Sequence, residues 1–453
     1  MSDKTDPQRM EKIVSLCKRR GFIFQSSEIY GGMNGCWDYG PLGVELKNNL
    51  KQYWWRVMVR ERDDVVGMDG SILTHRAVLK ASGHENTFSD PMVDCRTCKA
   101  RLRADQLPEK NGIKQCPNCG GKDLTEERPF NLMFSTQMGA SADPESIAYL
   151  RPETAQSIFV QFKNVLDTSR KKLPFGIAQI GKAFRNEINP RNFTFRSREF
   201  EQMELEYFCR PEQGMELLEY WKEERLKFYE NIGIPRDKLH VLTVSDADRA
   251  FYSKGTYDIE YEFPFGVQEL EGVAYRTDYD LKQHQEASGK PLDYFDEETK
   301  QRFIPHVVEP SAGVDRTVLA LLCNAYDEET VTDEKGKSET RIVLRFHPRI
   351  APIKVGVFPL LKNKPELVAK AREVQALLRP HMNVFYDETG AIGRRYRRQD
   401  EAGTPFGITV DFETLGEKDA ALLDTVTLRH RDSMKQERVK ISELLSFLLS
   451  QVQ

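Results

Sequence analysis

The chain has 453 residues, of which 39% are hydrophobic and 30% are Asp, Glu, Lys or Arg, and its formal net charge is −4. That length holds two or three packed domains, and ordinary Gly and Pro content with charges of both signs excludes collagen-like and disordered chains. No uncharged apolar run approaches the roughly 18 residues of a membrane helix. The opening MSDKTDPQRMEKIV carries no apolar signal core, so a cytoplasmic protein is expected. A charge this near zero gives no global attraction for nucleic acid; such a partner has to be met by a local basic surface.

From Lys4 to Arg20, Met10, Ile13, Val14, Leu16 and Cys17 recur at helical spacing before Gly21, which predicts a short amphipathic helix. Residues 22 to 59 then read as a strand, a glycine-rich turn with Pro41, and a helix with Leu46, Leu50, Tyr53, Trp54 and Val57 on its apolar face. A helical start is expected at Arg151–Lys163. FGIAQIGKAFRNEINPRNFTFRSREFEQMELEYFC predicts two strands flanking a polar loop, and 211 to 232 a charged amphipathic helix. Strand signals return at YDIEYEFP, ELEGVAYRTDYDL and FIPHVVEP. SAGVDRTVLALLCNAY opens a helix with Leu319, Leu322 and Cys323 on one face. The polar VTDEKGKSETR predicts a linker with a domain boundary just after it. From Ile350 on, apolar strand segments alternate with helical runs, a pattern of a small α/β domain.

Four of the eight cysteines form Cys95-x-x-Cys98 and Cys116-x-x-Cys119, with 17 residues between the pairs. That is zinc-ribbon spacing: four thiolates can converge tetrahedrally on one Zn²⁺, and with no open coordination position the metal is structural. A redox dithiol, or merely unpaired thiols, is the alternative reading.

Three separated segments combine arginines and carboxylates in a way that suits a triphosphate. In the first, Arg185 follows a strand where a guanidinium can grip phosphate, Glu187 can accept from an exocyclic amino group, and Phe200 offers a face for a purine. In the second, Glu309-Pro310-Ser311-Ala312-Gly313-Val314-Asp315-Arg316, small residues open a helix bearing a cation, and both favour anions. In the third, Glu269 and Glu271 bracket Leu270 and are expected to project from one strand face, where paired carboxylates can hold Mg²⁺. Taken alone, each also reads as a solvated turn, a capped helix start or an exposed strand. No Walker or GxGxxG phosphate loop is present. Farther on, Arg394-Arg395-Tyr396-Arg397-Arg398 sets four guanidiniums around one ring, suited to phosphates and stacked bases, or else a solvated helix face.

FRNE with RSREFEQMELEYF, and EPSAGVDRTVLALL, resemble the second and third signature motifs of class II aminoacyl-tRNA synthetases. GGMNGCWDYGPLGVELKNNL, SGHENTFSDPMVDC, LRAD, YLRPETAQ, QELEGVAYRTDYDL and REFEQMELEYF are similar to the homodimeric glycyl-tRNA synthetases, in matching order over nearly the whole chain. The resemblance implies an α+β fold: an antiparallel-sheet catalytic domain over 1–340, with a zinc-ribbon-like insertion near 90–125 and a helical insertion near 210–255. An α/β anticodon-binding domain over 350–453 would follow. It implies ATP-dependent ligation of glycine to tRNA(Gly) through a glycyl-adenylate, with Mg²⁺, a structural Zn²⁺ and a homodimer. By the same resemblance, Arg185 meets the α-phosphate, Arg316 the γ-phosphate, Phe200 stacks on adenine, Glu187 meets its amino group and Glu269 supports Mg²⁺. The wider ATP contacts fall on Asn186, Phe195, Arg196, Ser197, Arg198, Glu199, Leu270, Gly313, Val314 and Asp315. Substrate contacts fall on Arg103, Glu153, Phe200, Glu201, Gln202, Met203, Glu204, Arg276, Glu309, Pro310, Ser311, Ala312 and Gly313. A prolyl or threonyl synthetase would share the second and third motifs but not DYGPLG or RPETAQ. A non-catalytic RNA-binding relative should lack an intact motif arginine.

Overall fold

The computed structural model describes residues 5–140, 143, 146–250, 252–332, 336, 338–417 and 419–452. Helix α1 (Pro7–Arg20) starts where the Asp6 side chain accepts the Arg9 N–H at 3.0 Å, and it stops at Gly21, whose φ of 74° suits glycine. Helix α2 (Pro41–Trp55) has proline at its first position and buries Leu46, Leu50, Tyr53 and Trp54. It passes so close to the preceding strand that a Cβ on Gly43 would lie 1.8 Å from the Phe22 carbonyl oxygen.

Seven strands make the central sheet: β1 (Val65–Gly67), β2 (Phe175–Phe184), β3 (Glu199–Cys209), β4 (Leu239–Thr243), β5 (Gly255–Phe263), β6 (Gly266–Thr277) and β7 (His306–Gly313). Their order is β4-β5-β6-β7-β3-β2-β1, antiparallel throughout except for the β2–β1 pair. On one face Met203, Leu205 and Tyr207 of β3 join Leu46, Leu50 and Trp54 of α2 in the main core. Helices α4 (Gly214–Asn231) and α6 (Val314–Ala325) add Trp221, Val318 and Leu322 to it. On the other face α3 (Ala155–Ser169) and α5 (Tyr279–Ser288) cover only one end of the sheet, with Phe159, Phe162, Phe208 and Leu281 in a second core. The uncovered part of that face floors the cleft described below.

Several expectations change here. Helix α3 begins at Ala155, not Arg151, and Ser311 to Gly313 complete β7, so the helix opens at Val314. The segment expected as a helical insertion supplies α4 and then β4, the edge strand of the sheet. The expected linker belongs to an antiparallel hairpin of β8 (Tyr326–Thr332) and β9 (Ser338–Leu344); residues 333–335 and 337 of it lie outside the described residues. Its polar composition is that of an exposed ribbon, in which side chains need not be apolar to pair backbones.

The cysteine segment carries a three-stranded sheet of Ser89–Asp94, Arg101–Arg103 and Arg128–Asn131 over a small core of Val93, Leu102 and Ala104. The C-terminal sheet contains β10 (Val355–Pro359), β11 (Val384–Tyr386), β12 (Phe406–Val410), β13 (Thr425–His430) and β14 (Gln436–Lys440), in the order β11-β10-β12-β13-β14. β10 and β12 are parallel, buried along their whole length and flanked by α7 (Pro365–Leu378), α8 (Ile392–Ala402) and α9 (Ile441–Val452). β9 joins the two parts of the chain. Fully buried Arg341 donates to Asp400 Oδ2 at 3.0 Å and to the Arg431 carbonyl at 2.6 Å, while Arg429 grips Asp400 through both amino nitrogens at 2.9 and 3.1 Å. Among the described residues no helix is long and apolar enough to cross a membrane.

Candidate active site

Strand alternation decides which residues reach the open face. Along β3, Phe200, Gln202, Glu204 and Glu206 share one side. Glu199, Glu201 and Met203, expected at the substrates, point the other way. Glu199 pairs with Lys182, Glu201 lies 2.8 Å from Lys47 Nζ and 3.1 Å from Lys51 Nζ, and Met203 is in the main core. Along β7, Glu309, Ser311 and Gly313 face the site, whereas Ala312 packs into the main core and Pro310 shares its side of the strand. Val314 is buried too, and the Asp315 carboxylate turns to Tyr39, Lys47 and the Glu201 N–H.

The third segment differs more sharply. β6 slips register against β5, pairing Glu269 with Glu260 but Glu271 with Ile259, so that Leu270 is the extra residue of a bulge. The bulge breaks the alternation that would put both acids on one face. Glu269 lines the cleft and is half exposed, while Glu271 is buried on the far side against Arg225 Nε at 2.6 Å. The expected Glu269–Glu271 pair therefore cannot hold one metal ion. Asp258 instead lies near Glu269 and Glu260, and burial with those two charges lifts its carboxyl to about 6.

The cleft is lined by Arg185, Glu187, Thr194, Phe195, Arg196, Ser197, Phe200, Gln202, Glu269, Leu270, Gly272, Ser311, Gly313, Asp315 and Arg316. Arg185 leaves the end of β2, donates its Nε–H to the Pro152 carbonyl at 3.0 Å, and lies between the Phe88 and Phe200 rings, 5.3 Å from each centroid. Arg316, in the first turn of α6, lies over Phe195 at 4.5 Å and 3.4 Å from Glu269 Oε2. Glu187 is buried, and Arg196 Nε sits 3.0 Å from its Oε2 at an angle that leaves that oxygen without an aligned donor. Two expected contacts serve the loop instead of the cleft. Arg198 donates to the Glu187 and Asn34 carbonyls, and the Asn186 N–H donates to the Leu132 carbonyl.

Behind the cleft lies a buried cluster of carboxylates. Glu204 accepts from Ser311 Oγ at 2.7 Å, from Gln202 Nε2 at 2.8 Å and from Thr154. Arg276 Nη1 donates to both Glu309 oxygens at 3.1 and 2.9 Å, while its Nε and Nη2 hold Asp280 at 2.8 and 2.9 Å. Glu153 lies 3.3 Å from His84 Nε2 and accepts from Gln156 Nε2 at 3.0 Å. Burial, then Glu309 and Glu153, push the Glu204 carboxyl up to about 7. Burial also acts to raise Glu153, but His84 and Arg276 hold it well below the usual range, and His84 is raised in return. Arg103, expected beside these acids, is engaged by Asp90 at 2.8 Å and Asp105 at 2.7 Å, with Glu187 as its other acidic neighbour. The countercharges of the cluster are Arg276 and His84. His84, Thr154, Gln156, Asp280 and Glu206 were not singled out from the sequence. Glu206 was legible as the next even position of the Phe200, Gln202, Glu204 row, and His84 stood inside the SGHENTF segment.

Cys95 Sγ lies 3.7 Å from Cys119 Sγ and Cys98 Sγ 3.6 Å from Cys116 Sγ, and the four sulfurs fall within 4.8 Å of one another. Four ligands at about 2.3 Å from a tetrahedral Zn²⁺ would stand about 3.8 Å apart, so the sulfur cage fits that ion. Each Cys-x-x-Cys closes a matching turn, Lys99 N–H to the Cys95 carbonyl and Gly120 N–H to the Cys116 carbonyl, both 2.8 Å. The arginine-rich stretch departs from expectation: Tyr396 is buried and bonded to Thr409, and Arg395 is buried among the carbonyls of Pro359, Gly390, Asp387 and Leu360. Arg397 and Arg398 pair with Glu339 and Asp387, which leaves Arg394 as the exposed one of the four cations.

The family model described as the tRNA synthetase class II core domain (G, H, P, S and T) matches residues 139–325, and the anticodon binding domain model matches 354–451. The chain is 53% identical over 445 residues to a glycine–tRNA ligase of Treponema denticola, covering 98% of this chain and 97% of the relative. It is 51% identical to that of Thermobifida fusca over 97% of both chains, and 52% identical to that of Clostridium acetobutylicum over 98% of both. With both family models in chain order and whole-length identity at this level, the chain belongs to the glycine–tRNA ligases.

Proposed function

We propose that this chain activates glycine with ATP and transfers it to tRNA(Gly), and that both substrates of the first step meet over β3 and β7. The carrying observation is that Gln202 and Ser311 line the cleft while their side chains both donate to Glu204 Oε1 in the buried carboxylate cluster behind it. A triphosphate in the cleft thus abuts an ammonium-binding pocket, which is the arrangement an aminoacyl-adenylate needs.

In the first step the glycine carboxylate attacks the α-phosphorus, a P–O bond forms, the bond to the β-phosphate oxygen breaks, and pyrophosphate leaves with glycyl-adenylate remaining. The attacking carboxylate is already ionised, so no general base is required, and rate comes from positioning and charge stabilisation. Arg185, braced by Phe88, Phe200 and the Pro152 carbonyl, is suited to the α-phosphate. Arg316, at the far end of the cleft on a helix N-terminal turn, is suited to the γ-phosphate. Adenine would stack on Phe200 and give its amino hydrogen to Glu187, whose buried Oε2 lacks an aligned donor. Glu269, with Asp258 and Glu260 near it, would hold Mg²⁺, which supplies charge neutralisation on the phosphate oxygens. In the second step a terminal ribose hydroxyl of tRNA attacks the glycyl carbonyl carbon, and AMP leaves.

Glycine poses an inverted selectivity problem, because a smaller substrate is chosen only by leaving no room for a larger one. Glu153, Glu204 and Glu309 would bind the ammonium and, with Ser311, occupy the space a side chain would need. We further propose that Cys95, Cys98, Cys116 and Cys119 hold a structural Zn²⁺, that residues 350–453 read tRNA, and that the protein works as a homodimer. The test is ATP–pyrophosphate exchange with each of the twenty amino acids: glycine alone should support it, and exchange driven by proline or threonine instead would refute the reading.

A further inference from the structure

Glu206 completes the row of β3 side chains on the face that carries the buried carboxylates, and it has no part in the scheme above. It is fully buried, and neither of its carboxyl oxygens has a hydrogen-bond partner among the described residues. The register that pairs Glu204 with Ser311 and Tyr207 with Val308 sets Glu206 opposite Glu309, where facing Cβ atoms lie about 4.5–5.5 Å apart. On β2 its cross-strand neighbour is the apolar Ile177.

The nearest cation is Arg276, and its nitrogens are committed, Nη1 to Glu309 and the other two to Asp280. An ionised Glu206 would be a third anion on one guanidinium, with no donor of its own among the described residues. Burying such a carboxylate is far costlier than keeping its proton. A protonated carboxyl, unlike an ionised one, also has an O–H to give, and an anionic acceptor stands across the strand.

We propose that Glu206 is a neutral, proton-bearing positioning residue whose O–H is directed to Glu309, fixing that carboxylate as a wall of the glycine pocket. The inference rests on the reading of Glu309 as a glycine contact. The charged groups facing Glu206 are Glu309 from β7, Arg276 from β6, Glu204 from β3 itself and Asp280 from α5. Burial first, and Glu309 next, drive its carboxyl well above the ordinary range, against the pull of Arg276. The neutral donor does two things for the site. It limits the anions around the substrate ammonium to three, and it holds Glu309 on the side that Arg276 leaves free.

Two measurements test this. Near pH 8, where ordinary carboxyls are ionised, the infrared difference spectrum of the parent protein minus Glu206→Gln should contain a protonated-carboxyl C=O band that shifts in D₂O; its absence would overturn the proposal. Glutamine keeps a neutral donor and leucine does not, so the KM for glycine should be about tenfold higher in Glu206→Leu than in Glu206→Gln, with ATP KM values alike in the two. Equal glycine KM values would overturn it as well, and should the leucine variant not fold, the infrared band decides. Glu309→Gln is measured beside them: an unaltered glycine KM there defeats the pocket assignment itself, whereas a raised one with unresponsive Glu206 variants defeats only the role given to Glu206.

Discussion

Ser311 Oγ donates to Glu204 Oε1 at 2.7 Å, a bond between facing residues of the two central strands at the point where the cleft meets the buried carboxylates. Removing the hydroxymethyl group opens space without removing an anion. Ser311→Gly is therefore expected to raise activation of alanine relative to glycine, recovering part of the roughly 1–3 kcal/mol that one methylene commands. Glu204→Gln should lower glycine use with little gain for alanine. Pyrophosphate exchange with both amino acids checks this, and unmoved ratios in both variants would mean that the pocket has been misplaced.

Glu204 also makes glycine binding pH-dependent. Its carboxyl sits at about 7 in the free protein, so below that value it is largely protonated, and an ammonium must displace the proton. The KM for glycine should rise as pH falls below about 7, approaching tenfold per pH unit, with a proton released on binding. Because the folded pKa is raised, the folded state holds the proton more tightly than the unfolded chain between about 4.5 and 7. Glu204 thus adds stability at the acid end of that window and loses it as pH rises. Glu204→Gln should flatten the acid limb of the KM profile. A persisting limb would assign it to another group.

For the cleft, Arg185→Ala should cost adenylate formation about 3 kcal/mol or more, the scale found for one donor aimed at developing charge. Arg316→Ala should act more visibly on ATP binding than on turnover. Single-turnover adenylate formation separates the two, and parent-like rates in both variants would remove the arginines from the mechanism.

Metal analysis of protein purified without added zinc should return near one equivalent per chain. Cys116→Ser should lower that and loosen the insertion, and full retention of zinc would refute the four-thiolate site.

The hairpin ties the two parts of the chain together. A chain ending at Glu339 would lose most of β9 and with it buried Arg341, stranding Glu329 and the β8 edge, so glycine activation is expected to fall together with tRNA charging. Breaking the link without truncation, Asp400→Asn leaves Arg429 without its carboxylate and Arg341 with Glu329 alone. It should destabilise the protein by about 3–5 kcal/mol, read from chemical denaturation. Retained activation in the truncated chain would show that the two parts fold apart.

Much of this was legible in the sequence, and the misses have physical causes. FRNE, REFEQMELEYF and EPSAGVDR mark the strands and the helix that carry Arg185, Phe200, Glu204, Glu309 and Arg316, because motif spacing survives folding. A contiguous motif does not say which face is inward, and the side chains of Glu199, Glu201, Met203 and Ala312 point the opposite way from those of their motif neighbours. A bulge leaves no mark in composition, and Leu270 alone was enough to send Glu269 and Glu271 apart. Arginine runs read as contact surfaces. Helical periodicity nevertheless turned Arg395 and Tyr396 inward, where carbonyls and Thr409 satisfy them.

The most direct test of the account is a crystal structure with a non-hydrolysable glycyl-adenylate analogue. Adenine should lie on Phe200 with its amino group at Glu187, the phosphate mimic at Arg185, and the ammonium within hydrogen-bond distance of Glu204 and Glu309. An analogue whose amino-acid end points away from the pocket of Glu153, Glu204 and Glu309, or that binds outside the cleft between Arg185 and Arg316, would contradict it.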